Sequence, residues 1–268
     1  MTDLYGIYSN ERLNREDDLF FLRKYCSYEC AESDNEIKFD YNIEPVPDLY
    51  GLIPSNMLHD SKTHLDLVIK MMIWVHKTLK PGLRESPCRP LNSVNIIRCT
   101  IEKNQKSNCW MYATTLNEIL LHLGFKSKMI RCMPLDLRIS DCHCVVHVYL
   151  DELKKWIILD PSFGTYYTNK LNTPINLSEF REILIRGEIV KMPFVLRKYR
   201  DTLIGYWTKN LFRFETYSNS CFNIESLEKD KIIYSLLPSD YMLTNKVISH
   251  GNYNSIIIHT HNLNDFWK

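Results

Sequence analysis

The chain has 268 residues, 45% of them hydrophobic, which is enough for a packed core and excludes a disordered chain. Its 33 Lys and Arg are offset by 32 Asp and Glu, so no charge excess points to nucleic acid, and a small molecule or a protein is the expected partner. No basic, then apolar leader opens it and no run of about 18 apolar residues occurs, so a cytoplasmic protein without a membrane span is expected.

Nine cysteines stand at irregular intervals: Cys26, Cys30, Cys88, Cys99, Cys109, Cys132, Cys142, Cys144 and Cys221. An odd count without a framework spacing reads as reduced thiols, most of them small buried hydrophobes. Residues 1–60 are rich in Tyr, Asp, Glu and Asn and carry Pro45, Pro47 and Pro54. They are expected to be loops around one short helix near Leu19–Tyr25, an extension of the domain formed by residues 61–268.

From Thr63 to Leu79 the residues Leu65, Val68, Ile69, Met72, Ile73, His76 and Leu79 recur at helical spacing, and Pro81-Gly82 ends the run. A second helix is expected over Asn92–Glu102, with Val94 and Ile101 inward and Cys99 and Ile96 in the core. A third begins at Cys109, carries the stripe Ala113, Leu116, Ile119, Leu120 and Leu123, and stops at Gly124. Lys126–Met133, Cys144–Leu150 and Trp156–Leu159 are short runs rich in Ile, Val, Tyr and Trp and read as strands, the last two joined as a hairpin through residues 151–155. Asn176 or Ser178 can cap a helix through Ile185 that Gly187 closes, and Gly205–Glu215, Ile232–Leu237 and Ser255–Thr260 read mostly as strands. The sum is an α+β domain, helices first and an antiparallel sheet after.

A thiol becomes a nucleophile when its pKa falls, and a helix N-terminus lowers it with unpaired N–H groups and partial positive charge. Cys109 has that setting, whereas Cys132, Cys142 and Cys144 lie on or beside strands. A base is needed too, and His143 opens a strand from which an imidazole can reach a helix tip. A carboxylate must hold the ring in one tautomer. Asp160 closes the neighbouring strand, where a hairpin sets it beside the start of the first.

These residues also resemble a family. Ser107–Ala113 (SNCWMYA), then Leu123-Gly124-Phe125 and Ile130-Arg131, resembles the nucleophile segment of the transglutaminase-like superfamily. His143–Tyr149 (HCVVHVY) and Lys155–Ser162 (KWIILDPS) resemble its histidine and aspartate strands, in the same order. The likeness covers about residues 92–165. Leu177–Arg181 through Gly187, Tyr206–Phe214 and Phe266-Trp267 extend it toward bacterial stand-alone members.

The resemblance implies a papain-like core in which the cysteine forms a thioester with an acyl donor and passes the acyl group to an amine or to water. The donor would be a peptide, a protein or a carrier-bound thioester, and small-molecule biosynthesis is one setting for a chain of this kind. Amide formation is the first expectation; a cysteine peptidase or amidase and a non-catalytic scaffold of the same fold are the alternatives.

Each assignment has a plainer competitor. Cys109 could be a buried structural thiol, and Asp160-Pro161 could simply turn the chain. His147 lies on the strand face of His143, and the family alignment favours His143, leaving His147 a surface or supporting role. Asp136 and Asp141 are alternative carboxylates in the loop before it. Cys142, His143, Cys144 and His147 invite a zinc reading, but the two cysteines share one strand face and the two histidines the other, which opposes a four-ligand site.

The oxyanion formed on attack needs donors. The Cys109 backbone N–H is one, and the second is sought among Asn108, Gln105, Asn104, Trp110 and Trp74. Tyr206, Lys209 and Asn210 could line a cleft or pack on the core. No phosphate-cradling glycine pattern occurs among only eight glycines and no calcium loop is visible, so neither cofactor nor metal is expected.

Overall fold

A computed structural model of the chain describes residues 15–29, 37–59, 61–82, 86–135, 142–227, 231–241 and 255–267. Asp136, Asp141 and Cys30 lie outside them.

The fold is α+β, with helices packed on a mostly antiparallel sheet. The strands are β1 (Asp40–Tyr41), β2 (Lys80–Pro81), β3 (Lys106–Ser107), β4 (Ser127–Met133), β5 (His143–Leu150), β6 (Lys155–Asp160), β7 (Thr165–Tyr166), β8 (Arg213–Tyr217), β9 (Asn219–Ser220), β10 (Lys231–Leu236) and β11 (Ser255–Thr260). Seven form one sheet in the order β11-β10-β8-β4-β5-β6-β7. Its pairs are antiparallel except β10 with β11, which run parallel.

Three of the expected helices are present with their caps. The Thr63 side chain accepts from Asp66 N at 3.0 Å and starts His64–Thr78; Asn92 accepts from Asn95 N at 3.0 Å and starts Ser93–Lys103. Asn108 accepts from Met111 N at 3.1 Å and starts Cys109–His122. That helix ends as glycine-closed helices do: Gly124 has φ +94°, Phe125 N bonds Leu120 O at 2.9 Å and Gly124 N bonds Leu121 O at 3.0 Å. Every residue from Met111 to His122 is buried, so this helix runs through the interior instead of lying on the surface.

Two apolar clusters lie on either side of the sheet. Alternate residues of β5 divide between them: Cys144, Val146 and Val148 join the cluster of the Cys109–His122 helix, while Val145 joins Ile130, Ile158, Tyr167, Tyr206 and Trp207. The Asn176 cap serves Leu177–Ile185, with Glu179 bonding back to the Asn176 N–H as a capping box.

Several expectations are corrected. Residues 205–210 belong to a helix, Arg200–Asn210, and strand begins only at Arg213. Leu203, Tyr206, Trp207 and Asn210 are buried at helical spacing, and that period outweighs the aromatic preference for strands. The N-terminal helix is Arg15–Lys24, beginning a turn earlier than expected, and short helices follow at Pro47–Tyr50 and Asn56–His59.

Ile101 is 66% exposed, because no residue of its helix beyond Ile97 reaches the apolar cluster. The reading of all cysteines as reduced is overturned at one pair: Cys88 and Cys99 form a disulfide, their Cα atoms 6.7 Å apart. Cys26, Cys109, Cys132, Cys142, Cys144 and Cys221 are free thiols. No helix among the described residues is long and apolar enough to cross a membrane.

Candidate active site

Cys109 is the first residue of the interior helix, partly buried, with its Sγ 3.6 Å from the carbonyl oxygen of Cys142. Asn108 serves the next N–H groups along, its side chain bonding Met111 N and its carbonyl bonding Tyr112 N at 3.1 Å. The positive end of the helix dipole is therefore directed at the thiol.

His143 and Asp160 meet through the hairpin register. Val146 pairs with Leu159, so one further step sets Asp160 opposite Val145, two residues from His143 and on the same face. Across that diagonal His143 Nε2 and Asp160 Oδ2 are 2.8 Å apart, with both residues fully buried. The helix of Cys109 packs on the other sheet face. Thiol and imidazole meet only because His143 is the first residue of β5, at the rim where the sheet ends.

The Asp160 carboxylate receives four hydrogen bonds. Oδ1 accepts from Ser162 Oγ at 2.8 Å and Phe163 N at 3.1 Å; Oδ2 accepts from His143 Nε2 and from Tyr167 OH at 2.8 Å. A carboxylate has only acceptors, so the proton of the His143 contact sits on Nε2. The turn after Asp160 is braced by His76, whose Nδ1 lies 3.0 Å from Pro161 O. Gly164 there has φ +62°, and a Cβ on it would come within 2.7 Å of the His76 ring.

The other ring nitrogen, Nδ1 of His143, is buried without a hydrogen bond among the described residues, and the imidazole and the Cys109 thiol shift one another by hydrogen bonding and charge. The thiol is held well below its ordinary pKa by the hydrogen bond of the Cys144 thiol and then by the bond and charge of His143, against burial. Burial opposes a charge on His143, yet the Asp160 carboxylate and then Cys109 push it up to about 10. The arrangement favours a thiolate beside an imidazolium.

His147 is fully buried, which excludes the surface role and leaves the supporting one of the two expected of it. Its Nε2 accepts from Leu177 N at 3.1 Å, and its ring lies 6.3 Å from Trp156 and 5.0 Å from Trp267. Burial and the nearby Lys128 charge hold it neutral, well below its ordinary pKa. Among the described residues no cluster of three or more His, Cys, Asp or Glu is placed to hold a metal.

The side chains weighed as second oxyanion donors are largely engaged elsewhere. Trp110 Nε1 donates to Glu225 Oε1 at 2.8 Å, and Gln105 Nε2 donates to Ser86 O. The Asn108 side-chain oxygen is the helix cap, and Asn104 Oδ1 receives Lys80 Nζ. Trp74 packs half-buried against the cluster of the Cys109 helix, and among the described residues no hydrogen bond ties its indole to Cys109.

Of the cleft candidates, Tyr206 reaches the site: its ring is 5.3 Å from that of His143, and its hydroxyl donates to Cys142 O at 3.3 Å. Lys209 lies over the Tyr206 ring, and Asn210 Nδ2 donates to the Tyr206 main-chain carbonyl one turn back. Sequence reasoning did not assign Ser162, Tyr167 and Glu225; only the aromatic content of 206–214 hinted at the packing behind His143.

Residues 55–161, a range that holds Cys109, His143 and Asp160, match the family model of the transglutaminase-like superfamily. Among solved structures, a candidate cysteine protease from Cytophaga hutchinsonii is 16% identical, with 45% of this chain and 46% of that one covered and a TM-score of 0.31. A protein described as a TGase is 15% identical over 59% of this chain and 36% of that one, with a TM-score of 0.29. The chain thus covers less than half the length of each of these two. No curated protein matches it.

Proposed function

We propose that the protein is a thiol acyltransferase that forms a thioester on Cys109 and passes the acyl group to an amine. The observation that supports this most is the 2.8 Å contact of His143 Nε2 with the Asp160 carboxylate, which leaves Nδ1 as the ring nitrogen available to a thiol at a helix N-terminus. In this reading the Cys109 thiolate attacks the carbonyl carbon of the donor. The oxyanion is met by the Cys109 backbone N–H and the positive helix end. As the tetrahedral intermediate collapses, imidazolium Nδ1–H protonates the leaving group, and the thioester remains.

An acceptor amine then attacks the thioester carbonyl while neutral His143 takes its proton. Collapse forms the amide and returns the Cys109 thiolate with imidazolium. Asp160 keeps Nε2 protonated throughout, so that Nδ1 alone carries the mobile proton. Substituting water for the amine makes the same site a hydrolase.

Acyl donors, peptide amides and carrier-type thioesters alike, are incubated with an isotopically labelled amine and the products weighed. A labelled amide formed by wild type and not by Cys109→Ala is expected. Acid product alone would replace the transferase by an amidase, and turnover undiminished in Cys109→Ala would remove the thioester altogether.

A further inference from the structure

The hydrogen bonding around Asp160 continues beyond its four donors. Tyr167 OH, which donates to Asp160 Oδ2 at 2.8 Å, is itself 2.7 Å from Trp207 Nε1. Tyr167 and Trp207 are both fully buried. They come from separate parts of the chain, the segment after β7 and the Arg200–Asn210 helix. Neither contacts Cys109 in the interactions above, but the Trp207 ring stands edge-on to His143 at 5.0 Å and 86°.

The chemistry of these groups leaves one direction for the protons. An indole N–H only donates and a carboxylate only accepts. The Tyr167 oxygen therefore accepts from Trp207, and its own proton goes to Asp160. Oδ2 then holds one donor from Tyr167 and one from His143, while Ser162 and Phe163 hold Oδ1. The carboxylate cannot turn without breaking bonds on both oxygens.

We propose that Tyr167, polarised by Trp207, is a positioning residue that locks the Asp160 carboxylate and through it the tautomer and charge of His143. This rests on reading Cys109, His143 and Asp160 as nucleophile, base and orienting group. It adds that the orientation is set by two residues outside the range matched by the family model, 55–161. Without the Tyr167 hydroxyl the carboxylate gains freedom to rotate off His143, and the imidazolium loses part of its support.

The test is the rate of Cys109 alkylation by iodoacetamide as a function of pH, followed at the modified peptide by mass spectrometry, in the full-length chain. For Tyr167→Phe we expect the alkaline step in the labelling profile, where His143 loses its proton, to move to lower pH by about one unit, the worth of one hydrogen bond to a charged group. Trp207→Phe should shift the step in the same direction by less, and the double variant should be shifted no further than Tyr167→Phe.

A Tyr167→Phe profile superimposable on wild type, whatever its thermal stability, overturns the proposal. If that variant does not fold, the Trp207→Phe profile decides in the same way. Wild-type Cys109 labelled no faster at any pH than exposed Cys26 would instead sink the reading of the site as a whole, so the two failures are distinguishable.

Discussion

His143 and His147 lie four residues apart on one strand and one face, both fully buried, and they are opposite in character. His143 stands at the rim with a carboxylate at 2.8 Å and a thiol beyond, and it is held charged up to about 10. His147 sits further into the sheet among Trp156, Trp267 and Lys128, and it is held neutral. The difference is not in the residue or its burial, since desolvation opposes charge at both. It lies in what the neighbouring elements bring: β6 ends in a carboxylate beside one ring, and β4 brings an ammonium toward the other.

The largest expected break in that contrast is His143→Asn, which should slow Cys109 alkylation near neutrality roughly 100-fold by removing the ring that sustains the thiolate. His147→Asn should leave the rate close to wild type, and the reverse ranking would exchange the two roles. Next comes Asp160→Asn, which should bring the alkaline limb of the labelling profile down from about 10 toward the ordinary histidine value of ~6.5. A limb that stays in place would detach Asp160 from the base.

Stability should carry the same signature at smaller scale. The folded pKa of His143 is raised, so its contribution is fully present below about 6.5 and is lost as pH rises through about 10. The depressed Cys109 thiol works in the opposite sense below its ordinary pKa, so the His143 part is read by difference: urea melts on either side of this window should show wild type losing more stability, or gaining less, with rising pH than Asp160→Asn. Equal slopes in the two proteins would mean that the pair is not coupled to folding.

The smallest effect is expected at the other histidine. Lys128 is buried with its Nζ 3.1 Å from Phe266 O and 3.6 Å from the centre of the Phe39 ring, and burial lowers it to about 7. Lys128→Met should raise the His147 pKa modestly in an NMR titration, while burial still keeps it below ordinary, and the melting temperature should stay level or rise. An unchanged titration would leave burial as the whole cause.

Much of the site was legible in the sequence because it rests on local signals. The apolar stripe from Ala113 to Leu123 with Gly124 after it, and two short runs around a polar turn, place Cys109 on a helix tip and bring His143 near Asp160. The residues behind Asp160 were not legible. Tyr167 and Trp207 are distant in sequence from each other and from Cys109, and Trp207 sits on a helix whose aromatic content reads as strand. The engagement of Trp110 with Glu225 was hidden for the same reason, whereas Cys88 and Cys99 are only 11 residues apart and were passed over because the irregular cysteine spacing reads as reduced thiols.

By itself the sequence determined the α+β class, a capped helix start at Asn176 or Ser178 and the order of thiol, imidazole and carboxylate, since periodicity and capping act within a few residues. The tertiary structure alone decided the charge of each histidine, the partners of the indoles and the disulfide. The charges and the indole partners depend on which distant groups share a buried volume, where a neighbour a few ångströms away outweighs any property of the residue itself, and the disulfide depends on how the loop before Asn92 folds back on its helix.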